Sequence, residues 1–480
     1  MSNNPIVSRF SGFVRRFRPP SPQDLHSLFC HPEQLPPSVR KDPTAMHILN
    51  LLGPLAWDCF PERDLQRHYG HPSTPYAAVA AACLLKLDLG FGSCARLTDW
   101  LAENPSIAWL LGFRPNTDAF NPAWNLDPAK LPDQRHFSRL LHKAPNSCFQ
   151  YLLSSSIQLL LDEFARRQIV VPDIVSMDTK HILAWVKENN PKAYVEERFD
   201  KTRQPSGDQD CKLGCKRRHN QCKAADDALP SATPASNPLP GSSVSIGEYY
   251  WGYASGVAAA KVPEWGEFIL AEMTQPFNCS DVSYFFPLMT VVEQRLGRKP
   301  RFGTLDAAFD AFYIYDYFYQ AGGFAAVPKA EKGKIAHRDF DPAGLPLCAA
   351  GLAMPLKMTY WDRSTAIIEY ERGQYACPLF HPMLTDSPCP INDEHWATGG
   401  CHTTLATSIG ARIRHQLDRD GVDYKQIYKQ RTAVERIFSQ AVELGIERPH
   451  LRNQWAIANI NTLIYTLINL RLLRRIQQRA

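Results

Sequence analysis

Residues 169–186 read IVVPDIVSMDTKHILAWV, a β-branched and apolar run that predicts a buried strand ending near Asp178. What precedes it is of a different character. From about residue 43 to 168 apolar residues recur at helical spacing, as in YAAVAAACLLKLDLGFGS from Tyr76, ARLTDWLAENPSIAWLLGF over 95–113, a restart at DQRHFSRLLHKAP from Asp133, and a further amphipathic helix over 154–168. Residues 1–42, rich in Pro and polar side chains, read as a loose, flexible arm. After the strand comes a polar insertion, 187–247, ending in the low-complexity LPSATPASNPLPGSS and read as a flexible loop. Two strands follow, YYWGYASGVAAAKV from Tyr249 and EFILAEM from Glu267, then a helix over 281–296. A short strand closes at Asp306, a helix spans 310–320, and a strand 324–328 completes the set. This order implies a mixed α/β (α+β) sheet with helices packed against it. A β-rich segment, 329–406, is too long for a plain connection and reads as an inserted subdomain. The remainder, 407–480, carries two helices, 424–444 and 453–477, that complete the fold.

Three acids stand out by position. Asp178 closes one apolar strand, Asp306 closes another, and Glu435 lies in the middle of the helix over 424–444. A mixed sheet brings them together when its first and fourth strands are neighbours and a late helix crosses their ends. Phosphodiester chemistry uses such a set, because two Mg²⁺ ions about 3.5–4 Å apart activate the attacking oxygen and stabilise the leaving one. Hard cations take carboxylate oxygens. The plainer reading of each acid is a turn former, a helix cap or half of an exposed ion pair, with Asp173, Asp310, Asp316, Glu443 and Glu447 as local competitors. Residue types and spacing leave both readings open.

The segment YKQRTAVERIFSQAVELGIERPHLRNQWAIANINTLIYTLINLRLL, residues 428–473, resembles the C-terminal signature of bacterial insertion-sequence transposases of the DDE type. That signature is a Tyr, an Arg three residues on and a catalytic Glu four further, here Tyr428, Arg431 and Glu435; on a helix these offsets share one face. SMDTKHI resembles the block around the first catalytic Asp and TLDAAFDAFYIYDYF that around the second, which assigns Asp178 and Asp306. LLKLDLGFGS, WLLGF and LPDQRHFSRL resemble the helical domain that precedes such cores, so the likeness spans most of 75–473. It departs at Val442, where related families often carry Lys. The resemblance implies a ribonuclease H-like catalytic core, and the helical N-terminal domain that precedes it is the candidate for recognising element ends. The resemblance also implies Mg²⁺ (two ions, Mn²⁺ substituting) on Asp178, Asp306 and Glu435, and phosphate or DNA contacts from Tyr428 and Arg431. Strand cleavage and strand transfer by direct in-line attack would act on the terminal inverted repeats and a target duplex, in a homodimer. A ribonuclease H-like nuclease without strand transfer, and a non-catalytic DNA-binding remnant, are the competing readings.

Net charge is only +5 over 480 residues, but residues 409–480 hold 13 Lys/Arg against 6 Asp/Glu, which is compatible with a phosphate-binding surface. Lys216, Arg217 and Arg218, in the loop after the first strand, are further candidates for gripping phosphates. With 13 cysteines, an odd number, and no apolar export signal at the start, a reduced cytoplasmic protein is expected. Two cysteine groups offer ligands for a structural Zn²⁺: Cys211, Cys215, His219 and Cys222, and a second set of Cys377, Cys389, Cys401 and His402 near Cys348. Residues 456–473 are apolar but broken by Asn459, Asn461, Asn469 and Arg471, which suits an amphipathic helix packed on a core rather than a membrane span.

Overall fold

The computed structural model describes residues 25–64, 74–113, 131–217, 247–330, 338–363 and 367–479. Among the described residues, helical packing is already present at Leu25, inside the span read as a loose arm. Helices α1 (Leu25–Cys30) and α2 (Pro37–Arg40) bury Leu25, Leu28 and Val39, apolar side chains that the high Pro content obscures in the sequence. Helix α3 (Pro43–Leu52) starts where Asp42 accepts the amides of Thr44 and Ala45, with Pro43 at the first helical position. Helix α4 (Tyr76–Asp88) is buried almost all round, and the Glu62 carboxylate accepts the amides of Tyr76 and Ala77 at its start. Then come α5 (Cys94–Glu103), α6 (Pro105–Leu110), α7 (Gln134–Lys143) and the 21-residue α8 (Asn146–Arg166).

Strand β1 (Ile174–Leu183) runs well past Asp178. The expected end there is corrected: β1 pairs from Ser176 to Leu183 with β3 (Gly247–Val262), so the ladder does not stop at the acid. The 187–247 region is likewise not all loop. It includes a short turn of helix at Lys187–Asn189 and a strand, β2 (Lys212–Arg217), paired antiparallel to β3; residues 218–246 lie outside the described residues. Strand β3 changes partners at Gly252, from β2 to β4 (Gly266–Pro276). A Cβ at Gly252 would sit 2.0 Å from the Ile182 carbonyl oxygen, so only glycine lets the strands close there. Helix α9 (Phe285–Leu296) leads to β5 (Phe302–Thr304), and α10 (Phe312–Gln320) to β6 (Phe324–Ala326). The sheet order is β4-β3-β1-β5-β6, with β2 beside β3; β1 is antiparallel to β3 and parallel to β5, and β6 continues the parallel side. The class is mixed α/β, and the first and fourth of the strands read from the sequence are neighbours.

The inserted segment forms a separate three-stranded antiparallel sheet of β7 (Leu356–Asp362), β8 (Tyr370–Ala376) and β9 (His402–Ala406). Beyond it lie four helices rather than two: α11 (Ile409–Gln416), α12 (Val422–Tyr428), α13 (Thr432–Glu443) and α14 (Gln454–Gln478). Helix α14 packs on α8, α7 and α4 on one side and on β4 on the other, so the helical N-terminal half and the sheet share a hydrophobic core. It is also the one helix among the described residues long and apolar enough to cross a membrane, and 94% of that apolar stretch is buried inside the protein. Its asparagines do not form an outer polar stripe. Asn459, Asn461 and Asn469 are fully buried, and the Asn459 amide donates to the carbonyls of Leu141 and Ala144 at the end of α7.

Candidate functional site

Strands β1 and β5 put two of the three acids at matching positions. The parallel register pairs Ile174 with Phe302, Val175 with Gly303 and Ser176 with Thr304. Asp178 and Asp306 each lie two residues beyond the last of these pairs. Asp306 adopts extended backbone and heads a turn of helix, Ala307–Phe309, with one carboxylate oxygen accepting the Ala308 amide at 2.9 Å. The capping role that competes with metal binding is therefore real at this residue, and it uses one oxygen.

The third acid arrives on a broken helix. Where one helix over 424–444 was expected, α12 ends at Tyr428, a tight turn of helix spans Lys429–Arg431, and α13 starts at Thr432. Glu435 therefore sits in the first turn of α13 rather than mid-helix. Tyr428 and Arg431 keep helical dihedrals through the break, so the one-face argument survives it. The break is fastened to the sheet: the Ser176 hydroxyl donates to the Gln430 carbonyl at 2.9 Å, and Thr304 donates to Ser176 at 3.3 Å.

Arg431 joins the acids. One guanidinium nitrogen donates to Asp178 at 2.7 Å and another to Glu435. Side-chain exposure rises from 17% at Asp178 through 22% at Arg431 to 51% at Glu435, so the group opens from the sheet edge toward solvent. The remaining buried donor of Arg431, Nε, meets no acceptor among the described residues. Burial pushes the Asp178 carboxyl up to about 7; Arg431 opposes this, while the charges of Asp306 and Asp281 add to it. Asp281 was not among the acids singled out in the sequence. It accepts the Thr179 hydroxyl at 2.8 Å, and its place at the start of a helical turn gives it the look of an ordinary cap. Tyr428 stacks on Tyr424 at 5.7 Å, and burial raises its hydroxyl pKa, helped by Asp306, Glu435 and Asp178.

Most competing acids have other work. Asp310 is held by both nitrogens of an Arg414 fork at 2.8 and 2.7 Å, Asp173 pairs with Arg298, Asp316 accepts the Gly410 amide, and Glu447 pairs with Lys180 at 2.6 Å. Glu443 is exposed near the end of α13. Val442 is 38% exposed two helical turns beyond Glu435 and carries no charge to replace the Lys of related signatures. Lys216 and Arg217 lie on β2 rather than in a loop, because the backbone there pairs with β3; Arg218 lies outside the described residues.

Of the cysteine sets, Cys211 turns its thiol inward to the Asp208 carbonyl, and His219 and Cys222 lie outside the described residues. In the second set, Gly400 backs closely onto Cys377, where a Cβ would lie 2.6 Å from Cys377 Cβ, so the neighbouring Cys401 enters beside it. His402 is instead exposed at the start of β9. Among the described residues no group of three or more His, Cys, Asp or Glu side chains is placed to hold a metal ion. At the acids this has a visible reason, since Arg431 stands between Asp178 and Glu435. Compared with known proteins, the chain matches no family model and no curated protein.

Proposed function

We propose that this protein is a DDE-type DNA transposase with a ribonuclease H-like core, cutting and joining DNA through Asp178, Asp306 and Glu435. The observation that carries the reading is the pairing of Asp178 and Asp306 at matched positions on adjacent parallel strands, with Glu435 tied to Asp178 by Arg431. Three antiparallel strands followed by two parallel ones, in the order β4-β3-β1-β5-β6, are what such a core requires, and this supports the reading.

Three carboxylates are the donor type that suits a hard divalent cation. Asp178 is largely buried, and the charges of Asp306 and Asp281 act on it against the opposing Arg431, so carboxylate oxygens of the kind a hard cation takes are gathered there. Mg²⁺, or Mn²⁺ in its place, held by Asp178, Asp306 and Glu435 would supply activation of the attacking oxygen and stabilisation of the leaving one. The chain's own contribution begins with Arg431. It neutralises the acids when they stand alone, and its unpaired Nε–H suits a phosphate oxygen brought to the same spot. Tyr428, three residues before it, lines the same face and would bear on the DNA strand. Ser176 is a positioning residue, holding the turn that carries Arg431.

The substrate would be double-stranded DNA at the element's terminal inverted repeats and at a target, with Lys216 and Arg217 on β2 adding phosphate contacts. Coordinated work on two ends calls for two copies in the DNA complex, and the place of action would be the cytoplasm, where bacterial DNA lies. The test is Mg²⁺- or Mn²⁺-dependent cleavage and joining of the element's end DNA. Cleavage without joining would reassign the chain as a hydrolytic nuclease, and DNA binding with neither as a non-catalytic remnant.

A further inference from the structure

Trp185 stands in the open, 52% exposed just beyond the end of β1, yet it is held in a row of planar groups. The His450 imidazole stacks on it with ring centroids 5.5 Å apart and planes 24° from parallel, and the Arg452 guanidinium carbon lies 4.9 Å from its ring centroid. Arg452 is fixed further by donating its Nε–H to the Trp185 carbonyl at 3.2 Å. Among the described residues, no other exposed large apolar side chain has both a stacked ring and a cation over it.

Two stretches of sequence build the row. In AWVKE, residues 184–188, Ala184, Val186 and Glu188 are buried while Trp185 and Lys187 face out, the alternation of extended backbone. After α13 the chain repeats it: Arg448, His450 and Arg452 are exposed and Pro449 is buried. The two stretches are fastened side by side, with the Leu183 amide donating to the Glu447 carbonyl at 2.8 Å and Lys180 paired with Glu447 at 2.6 Å. No carboxylate among the described residues pairs with Lys187, Arg448 or Arg452, so three positive charges flank the row. An indole serving only the core would be turned inward, as those of Trp57 and Trp251 are. An open row of planar groups beside uncompensated cations suits a nucleic-acid strand, whose bases stack on flat faces and whose phosphates take the charge.

We propose that His450, Trp185 and Arg452, with Arg448 and Lys187, form a second DNA contact that takes a single strand, its unpaired bases stacked on the planar row and its phosphates on the cations. The inference rests on the DNA reading above and extends it. Duplex DNA hides the faces of its bases, so stacking selects a strand that is open. Both stretches issue from the elements that carry the acids, β1 with Asp178 and α13 with Glu435. Trp185 is seven residues from Asp178 along the chain, no more than about 25 Å, which is the length of about seven stacked nucleotides. A strand with one phosphate at the acids therefore reaches the row within that length.

The test uses the full chain in a chelating buffer, so that no strand is cut, with a dye-labelled single-stranded oligonucleotide of mixed sequence and its duplex, both followed by fluorescence anisotropy. Trp185→Ala should weaken single-strand binding by about tenfold or more and leave duplex binding nearly unchanged. Trp185→Phe, which keeps a planar ring, should restore most of the loss. Replacing Arg448 and Arg452 together by Ala should lower the slope of log affinity against log salt by about one. A 2-aminopurine placed in the oligonucleotide should lose fluorescence on binding to the wild type and much less with Trp185→Ala. Tyr319→Ala, which removes an exposed aromatic ring near the end of α10, should change none of these. No single-strand binding by the wild type, the same affinity in Trp185→Ala, or an equal loss on single strand and duplex would overturn the proposal. The result separates from that for the acids: a strand held through Trp185 without any joining keeps this site and removes their role, while joining with an unmoved Trp185→Ala affinity does the reverse.

Discussion

Arg431 works by shape as much as by charge. Its planar fork reaches Asp178 with one nitrogen and Glu435 with another, which a lysine ammonium on a flexible stem does not reproduce. Arg431→Lys should therefore keep the fold but lower the rate of DNA joining by roughly tenfold to a hundredfold, the size of a lost charge-assisted hydrogen bond. Joining rates alongside unchanged circular dichroism would check this, and a wild-type rate would remove Arg431 from the site. Ser176→Ala leaves the Gln430 carbonyl without its donor and should have a smaller, few-fold effect on the same rate. The three acids and Arg431 are singled out in the sequence by the resemblance of their blocks to transposase signatures, since residue types and spacing leave plainer readings open, and the structure brings Asp178, Arg431 and Glu435 together. Ser176 and Asp281 are not singled out in the sequence, since their roles depend on contacts 254 and 102 residues away along the chain.

Helix α14 and strand β4 show how a buried polar residue can be misread. Strand β4 shifts register against β3 around Leu270, and beside the shift the Asn469 side chain takes over backbone pairing: it accepts the Ile269 amide at 2.9 Å and donates to the Ile269 carbonyl at 3.1 Å. Arg295 donates to the carbonyl of Leu270 itself. Asn469→Ala orphans both groups of Ile269 in the core and should cost about 2–4 kcal/mol in urea unfolding, where a surface asparagine would cost almost nothing. In the sequence the same asparagine looks like part of a polar stripe, because spacing cannot show that a bulged strand awaits it. Glu272, on the same strand, gives a pH test. Burial pushes its carboxyl up to about 7, opposed by Thr462, Arg295 and Gln150, so the folded protein holds this proton more tightly than the unfolded chain does. Its stabilising share is whole below the ordinary carboxylate range and is lost as pH rises through about 7. Tm should fall between pH 5 and pH 8 in the wild type, and Glu272→Gln should flatten that fall; an unchanged slope would mean that Glu272 does not titrate as described.

Across the whole molecule, the strands that carry the acids could be read because their apolar runs are continuous and bounded by helices. Their adjacency was an expectation of chemistry that the β1–β5 pairing bears out. The region after β1 is less legible in the sequence, since composition hides β2 inside a polar stretch, as prolines hide the helices from Leu25 onward. What unites the molecule is α14, buried between the helical half and the sheet, so the proposed DNA-end domain and the acid cluster are built on one rigid frame. That frame would let binding energy at an element end be spent on positioning the scissile phosphate against Asp178, Asp306 and Glu435. The most direct test compares wild type with Asp306→Asn and Glu435→Gln in joining of end DNA with Mg²⁺ or Mn²⁺, alongside DNA binding. Joining by the wild type, lost in both variants while binding persists, is the expected result; equal joining by all three proteins would contradict the assignment of these acids.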